Sequence, residues 1–365
     1  MNIAVAQSGG PTCAINASLV GVVKECWKNQ HIDAVFGSIN GIEGMINDNL
    51  VDLKSVVATN EDMELLRLTP STVLGSCRYK LPDFEKDSSV YEKINKCFRR
   101  HRIEAFLYIG GNDSMDTVEK LSRYMKQIGS DVKIVGIPKT IDNDLWGTDH
   151  CPGYGSAAKY VATTMLELYE DAAVYGYPQV VIVEIMGHKV GWLPLYAGIA
   201  GGADIILLPE IPYDIDKVVD AIEARDKGGS RFTVIAVAEG AISKEDAKLS
   251  KKEYKKKMAN YEYPSVSYEI AAQIQQATGR EVRVTVPGHT QRGGAPDAYD
   301  RVFSTQVGAV AGKLILKKQY GYMISIIDGQ ITKVPLSEVA GKLKTVDPDA
   351  QIIKHAKLIG ISFGD

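Results

Sequence analysis

Two stretches hold the residue types best suited to chemistry, Tyr108–Thr117 (YIGGNDSMDT) and Ile137–Asp144 (IPKTIDND). Each follows a short apolar run, Ala105–Ile109 and Val132–Ile137, of the kind that forms a buried parallel strand. Each then breaks at Gly-Gly or Pro into a polar, carboxylate-rich turn. In an open α/β sheet the ligand crevice lies beyond the carboxyl ends of the strands. Two neighbouring strands ending this way would aim Asn112, Asp113, Lys139, Thr140, Asp142 and Asp144 into one cleft. Carboxylates, a lysine and exposed backbone N–H groups are the parts that Mg²⁺-assisted phosphoryl transfer needs.

The elements that must position these residues can be read in chain order. Ile3–Gln7 is a strand ending in Ser8-Gly9-Gly10-Pro11, and Ala17–Trp27 follows at helical spacing. That layout suits an anion-binding loop, or equally a tight turn needing glycine at positive φ. Ala34–Ile39 is a second strand. Arg78 follows a Gly-Ser turn in Thr72–Lys80, a placement that alone does not separate a phosphate clamp from a solvated charge. Val90–Arg102 is an amphipathic helix feeding the Ala105 strand, and a further helix spans Asp113–Lys126 with Asp113 or Ser114 as N-cap. His150 and Cys151 read as packing. Gly153–Ala158 matches GxGxx[GA], but a polar loop precedes it rather than a strand, so a close-packed helix start is favoured over a dinucleotide site.

Strands at Val180–Ile185, Ala203–Leu207, Phe232–Ala238 and Arg283–Val286 alternate with helical segments, one of them at Val190–Ile199. Ser243–Met258 carries seven lysines among acids with few aromatics, which fits a solvated helical insertion better than a nucleic-acid patch. Pro296 is placed in the first turn of a helix over Asp297–Leu316. Short apolar strands alternating with helices specify a doubly wound α/β fold.

At 365 residues the chain calls for one large or two medium domains. A net charge of −3 gives no global reason to bind nucleic acid or an anionic membrane, and no apolar stretch approaches the roughly 18 residues of a membrane span. Five scattered cysteines without CxxC spacing argue against a disulfide framework or a structural zinc site. A cytoplasmic location is expected.

Taken together, Gln7–Pro11, Leu74–Arg78, Gly110–Ser114, Pro138–Asp144, Glu184–Trp192, Glu239 and Gly288–Gly294 resemble the phosphofructokinases, and within them the pyrophosphate-dependent branch. PKTIDND and GHTQRGG are the specific signals. The resemblance implies two doubly wound, Rossmann-like three-layer domains with the active site in the cleft between them, assembled as homodimers or homotetramers. The domains are expected at 1–153 plus about 291–341, holding the phosphoryl donor, and about 154–290 plus 342–365, holding the sugar phosphate.

It further implies Asp142 as general base on the C1 hydroxyl of fructose 6-phosphate, with Thr140 and Asp144 positioning that hydroxyl and the metal's water shell. Gly10 and Arg78 hold the transferred phosphoryl group, with Asp113 and Lys139 at the pyrophosphate. Met186, Gly187, His188, Glu239, Arg283, His289 and Arg292 grip the sugar phosphate, Arg283 reaching across a subunit boundary. Mg²⁺ is the expected cofactor.

ATP-using relatives resemble one another in carrying glycine at the positions of Asp113 and Lys139. Bulk and charge there point to inorganic pyrophosphate as donor. Asn112 replaces the usual metal-binding aspartate, so Asp113 or Asp144 is expected to carry the ion. His188 and Gln179 stand where arginines are common, which opens acceptors such as sedoheptulose 7-phosphate. Val20 replaces an effector-binding arginine, so no nucleotide activation is expected.

Overall fold

The computed structural model describes all 365 residues. In chain order the elements are β1 (Asn2–Gln7), α1 (Ile15–Trp27), β2 (Ala34–Ser38), α2 (Ile42–Ile46), β3 (Leu50–Asp52), α3 (Asn60–Leu68), α4 (Ser89–Arg100), β4 (Ile103–Gly110), α5 (Asn112–Gln127) and β5 (Lys133–Pro138). There follow α6 (Tyr154–Ala173), β6 (Gln179–Ile185), α7 (Trp192–Ala200), β7 (Ile205–Leu207), α8 (Ile215–Lys227), β8 (Phe232–Ala238), α9 (Lys251–Ala259), α10 (Val266–Thr278) and β9 (Glu281–Thr285). The chain ends with α11 (Ala298–Leu316), β10 (Tyr322–Ile327), β11 (Gln330–Pro335), α12 (Leu336–Val339) and α13 (Gln351–Leu358). Two compact units result, Met1–Ser156 with Arg292–Lys344, and Ala157–Gln291 with Thr345–Asp365.

The first unit is built on a seven-stranded sheet in the order β11-β10-β5-β4-β1-β2-β3. Its centre is parallel, and antiparallel pairs β10/β11 and β2/β3 close the two edges. Alternation along the strands splits the core into two layers. Ile3, Val5, Leu107, Ile109, Val135 and Ile137 face α1 and α11, while Ala4, Ala6, Phe106, Tyr108 and Ile134 face α4 and α5. The second unit has a parallel sheet in the order β7-β8-β6-β9. Val180, Ile182, Ile235 and Val237 meet α8 and α10 on one side. On the other, α7 comes so close that a Cβ on Gly198 would sit 2.7 Å from Ile206. Both units are Rossmann-like.

Two local expectations need correction, and a third, the solvated helical insertion at the lysine-rich segment, holds with a 3₁₀ turn ahead of its helix. α5 begins at Asn112 with Gly111 as N-cap and no side-chain cap, because Ser114 folds back over Gly110 and its hydroxyl bonds Ser8 Oγ at 3.1 Å. Pro296 lies outside α11, whose N-cap is Asp297, accepting from the Asp300 N–H at 2.7 Å. The lysine-rich segment is a 3₁₀ turn at Asp246–Lys248 followed by α9. Lys257 pairs with Asp246 at 2.6 Å, and Asp246, Tyr254 and Met258 line a cavity.

The helix start at GYGSAA is close-packed. Ser156 donates its N–H and hydroxyl to the buried Asp300 carboxylate at 2.9 and 2.6 Å, and no strand precedes it. α1 and α11 touch through glycines. A Cβ on Gly308 would lie 2.0 Å from the Ser18 carbonyl oxygen, and one on Gly21 would lie 2.1 Å from that of Thr305. Gly308→Ala should therefore push two backbones apart and destabilise the unit by about 1–3 kcal/mol. A lowered thermal midpoint checks this, and an unchanged midpoint would contradict it.

Candidate active site

At the carboxyl end of the first sheet, three loops are stitched into one floor. Ser8 N–H donates to Ile109 O at 2.9 Å, Gly9 N–H to Cys77 O at 3.1 Å, and Ser76 Oγ to Gly9 O at 2.5 Å. Leu74 N–H donates to Gln7 Oε1 at 3.1 Å, so the segment carrying Arg78 is fixed against the end of β1. Lys139 N–H donates to Gly110 O at 2.9 Å, joining the ends of β4 and β5. Gly9 lies at φ 75°, the left-handed region glycine tolerates.

Lys139 is the centre of this floor and is only 2% exposed. Its Nζ donates to Gly10 O at 2.6 Å and would stand 3.2 Å from a Cβ on Gly9. Arg292 lies across Gly10, where an added Cβ would be 2.8 Å from the guanidinium carbon. Gly9 and Gly10 thus leave room for two cations. Burial first, and then Arg292, lower the Lys139 pKa to about 7; Arg78 adds to the effect, and Asp142 and Asp144 oppose it. Arg292, expected on the sugar phosphate, is thus grouped with Lys139, Arg78, Asp142 and Asp144.

Asp144 is raised to about 6 by burial and then by Asp142, with hydrogen bonds from Asn112 and Thr140 opposing the shift. Its Oδ1 is buried and accepts no hydrogen bond. The Asp142 N–H donates to Thr140 Oγ1 at 3.1 Å, which fixes the turn. A buried carboxylate oxygen with an unused lone pair, beside a second carboxylate, suits a hard divalent cation. Of the two carboxylates expected to carry the ion, Asp144 has these features. Asn112 serves as a hydrogen-bond partner of Asp144, and Asp113 is exposed on α5 and paired with Lys80 at 2.9 Å. Lys80 has no signal in the sequence beyond its nearness to Arg78.

In the second unit the acceptor-side residues gather less completely. Met186 N–H donates to Gln291 Oε1 at 3.0 Å, two residues after His289 in sequence. Glu239 N–H donates to Ile185 O at 2.8 Å, and Gly240 passes so close to His188 that a Cβ would meet its carbonyl oxygen at 1.9 Å. Gly187 sits at φ 150° with Val190 O 2.9 Å from where a Cβ would be. Glu239 and His188 line a cavity of about 620 Å³ with Glu184, Tyr213, Tyr254 and Tyr261. Arg283 is expected to reach across a subunit boundary. Within its own chain it bonds Glu281 at 2.7 Å and Asp171 at 3.1 Å and lies over the Tyr175 ring. Gln179 is buried and donates to Ala172 O at 2.9 Å.

The phosphofructokinase family profile matches residues 2–315. The chain belongs to the phosphofructokinase family. It is a phosphotransferase, a glycolytic kinase. An enzyme of Spirochaeta thermophila named ATP-dependent 6-phosphofructokinase is 39% identical over 99% of this chain and 97% of its own length. One of Bacteroides thetaiotaomicron, named ATP-dependent 6-phosphofructokinase 3, is 35% identical over the whole of both chains. Among solved structures, the pyrophosphate-dependent phosphofructokinase of Nitrosospira multiformis has a TM-score of 0.84 at 29% identity, covering 96% of this chain and 87% of its own. That of Marinobacter aquaeolei scores 0.81 at 31% identity, over 99% and 88%. No helix is long and apolar enough to cross a membrane.

The Asp144 environment gives a pH signature. Its carboxyl ionises near 3.8 when unfolded and about 6 when folded, so folding takes up a proton between those values. The stabilising contribution of the protonated form is present below about 4 and is lost as pH rises through about 6. Asp144→Asn should remove that fall, leaving the variant more stable than wild type at neutral pH by about 1–3 kcal/mol, with activity reduced. Urea denaturation from pH 4 to 7.5 checks it; parallel stability curves for the two proteins would contradict it.

Proposed function

We propose that this phosphofructokinase transfers a phosphoryl group from inorganic pyrophosphate to O1 of fructose 6-phosphate, giving fructose 1,6-bisphosphate and phosphate. The observation that carries this reading is the buried Lys139, held under Gly9 and Gly10 with Arg78 and Arg292 around it. A desolvated lysine flanked by a half-buried and an exposed arginine suits a compact polyanion, whose charge restores full protonation of the lysine. Asp113, at the second residue of α5, adds bulk and an acidic group where the family resemblance implies glycine in nucleotide-using members. Lys80 orients that carboxylate and offsets part of its charge.

In this account Asp142 accepts the C1 hydroxyl proton as the oxygen attacks the terminal phosphorus. The bridging P–O bond breaks, and phosphate leaves with its new charge facing Lys139, Arg78 and Arg292. Thr140 holds the turn that aims Asp142. Asp144 would hold Mg²⁺, which when bound would supply charge neutralisation at phosphate oxygens. Glu239, His188, Met186 and His289 bind the acceptor, and the protein acts as a homodimer or homotetramer. The transferred and formed bonds are similar enough in energy that the reaction should run in both directions.

A coupled assay with Mg²⁺ should show turnover with pyrophosphate and little with ATP. Turnover with ATP alone would instead favour the ATP-dependent reading that several relatives' names suggest. Asp142→Asn should lower kcat by about 10²–10⁴ with little change in KM, and full activity in that variant would remove Asp142 from the role of base.

A further inference from the structure

Away from the phosphate-binding floor, the last turn of α4 and the α2–β3 turn bring together three side chains of different chemistry. Cys97 and His101 stand four residues apart, on one face of the end of α4. Asp48 reaches them from a turn whose backbone is left-handed at this residue (φ 59°). One ligand atom from each of Asp48, Cys97 and His101 lies within 4.8 Å of both others. His101 Nε2 and Asp48 Oδ1 are 2.6 Å apart, and the Cys97 thiol also bonds the Asp48 carboxylate.

We propose that Asp48, Cys97 and His101 form a binding site for a thiophilic divalent transition metal, zinc being the best match. A thiolate, an imidazole nitrogen and a carboxylate oxygen are three zinc ligands, and water completes a tetrahedron. The thiol and imidazole now share the carboxylate through hydrogen bonds, so a metal takes over positions filled by protons. Binding forms Zn–S, Zn–N and Zn–O bonds, and the thiol proton leaves to solvent. The imidazole gives up its Nε2 proton while carrying one at Nδ1 instead, so one proton is released in all. Thiolate and carboxylate together neutralise the dication.

The surroundings hold the set in place. Arg100 Nη1 donates to Asp48 Oδ2 at 2.5 Å, orienting the carboxylate so that Oδ1 faces the imidazole. The His101 ring packs edge-on against Phe36, with centroids 5.6 Å apart, and its backbone carbonyl accepts from Asn2 Nδ2 at 2.8 Å. Cys97 is buried, whereas Asp48 and His101 are each 28% exposed, which gives an ion an entry side. The ion would clamp α4 to the α2–β3 turn without touching Lys139, Asp142 or Asp144. Cysteine spacing alone cannot reveal such a site, because the ligands are mixed and one lies 49 residues before the next (97 − 48).

The test is a Co²⁺ titration of the chelator-stripped full chain in excess Mg²⁺, which keeps other carboxylate sites filled. One equivalent should produce a thiolate-to-cobalt charge-transfer band, lost on adding Zn²⁺ and absent in Cys97→Ser. Zn²⁺ should also raise the thermal midpoint of wild type but not of His101→Asn, a surface-side change that keeps the fold if Cys97→Ser does not. No thiolate band in wild type, a band that persists in Cys97→Ser, or an equal Zn²⁺ shift in His101→Asn would overturn the assignment. Pyrophosphate-dependent turnover is read separately, so failure of this site leaves the donor assignment standing.

Discussion

Burying a lysine next to two arginines is electrostatically unfavourable, and the floor at the carboxyl end of the first sheet is organised around doing so. Lys139 keeps one strong hydrogen bond, to Gly10 O, and is opposed by Asp142 and Asp144. Nothing in the bare protein fully compensates for the desolvation, which is why its pKa falls toward neutrality. A polyanion supplies what is missing. The same logic runs in reverse at Asp144, where burial and Asp142 favour the neutral acid until a cation arrives. The two groups are destabilised in opposite senses, and the proposed donor together with a metal would relieve both. Sites of this kind trade folding stability for pre-organised charge.

The scaffold tolerates that cost because its supports are backbone bonds. The ends of β1, β4 and β5 are neighbours in one parallel sheet, so the loops leaving them cannot drift apart. Gly9 and Gly10 are required by Lys139 and Arg292, whose side chains occupy the space a Cβ would need. Gln7, buried at the end of β1, reaches the Leu74 N–H and Asn16 and locks the Arg78 segment to the same floor. Positioning is therefore settled by folding before any ligand binds.

Much of this was legible in the sequence. Apolar runs broken by Gly-Gly or Pro marked β4 and β5, and the register that makes them neighbours follows from parallel α/β topology. Alternating strands and helices gave the doubly wound class. What could not be read was the direction of individual side chains. Asp113 and Lys139 looked equivalent as donor discriminators, yet one is exposed on Lys80 and the other is buried. Helix phase decides this, since α5 starts one residue earlier than its acidic residues suggest. Arg283 was expected to reach across a subunit boundary; within its own chain it lies on β9, within reach of Asp171 and Tyr175. The β10/β11 hairpin carries its own signal, Asp328-Gly329 at positive φ between alternating strands.

The central claim is that a bare diphosphate completes the charge around Lys139. Calorimetry of pyrophosphate binding at pH 8, in Mg²⁺-free buffers of different ionisation enthalpy, measures the proton uptake directly. Wild type should take up more protons per site than Lys139→Met, because the lysine regains its proton as the anion binds. Equal proton uptake by the two proteins would contradict it.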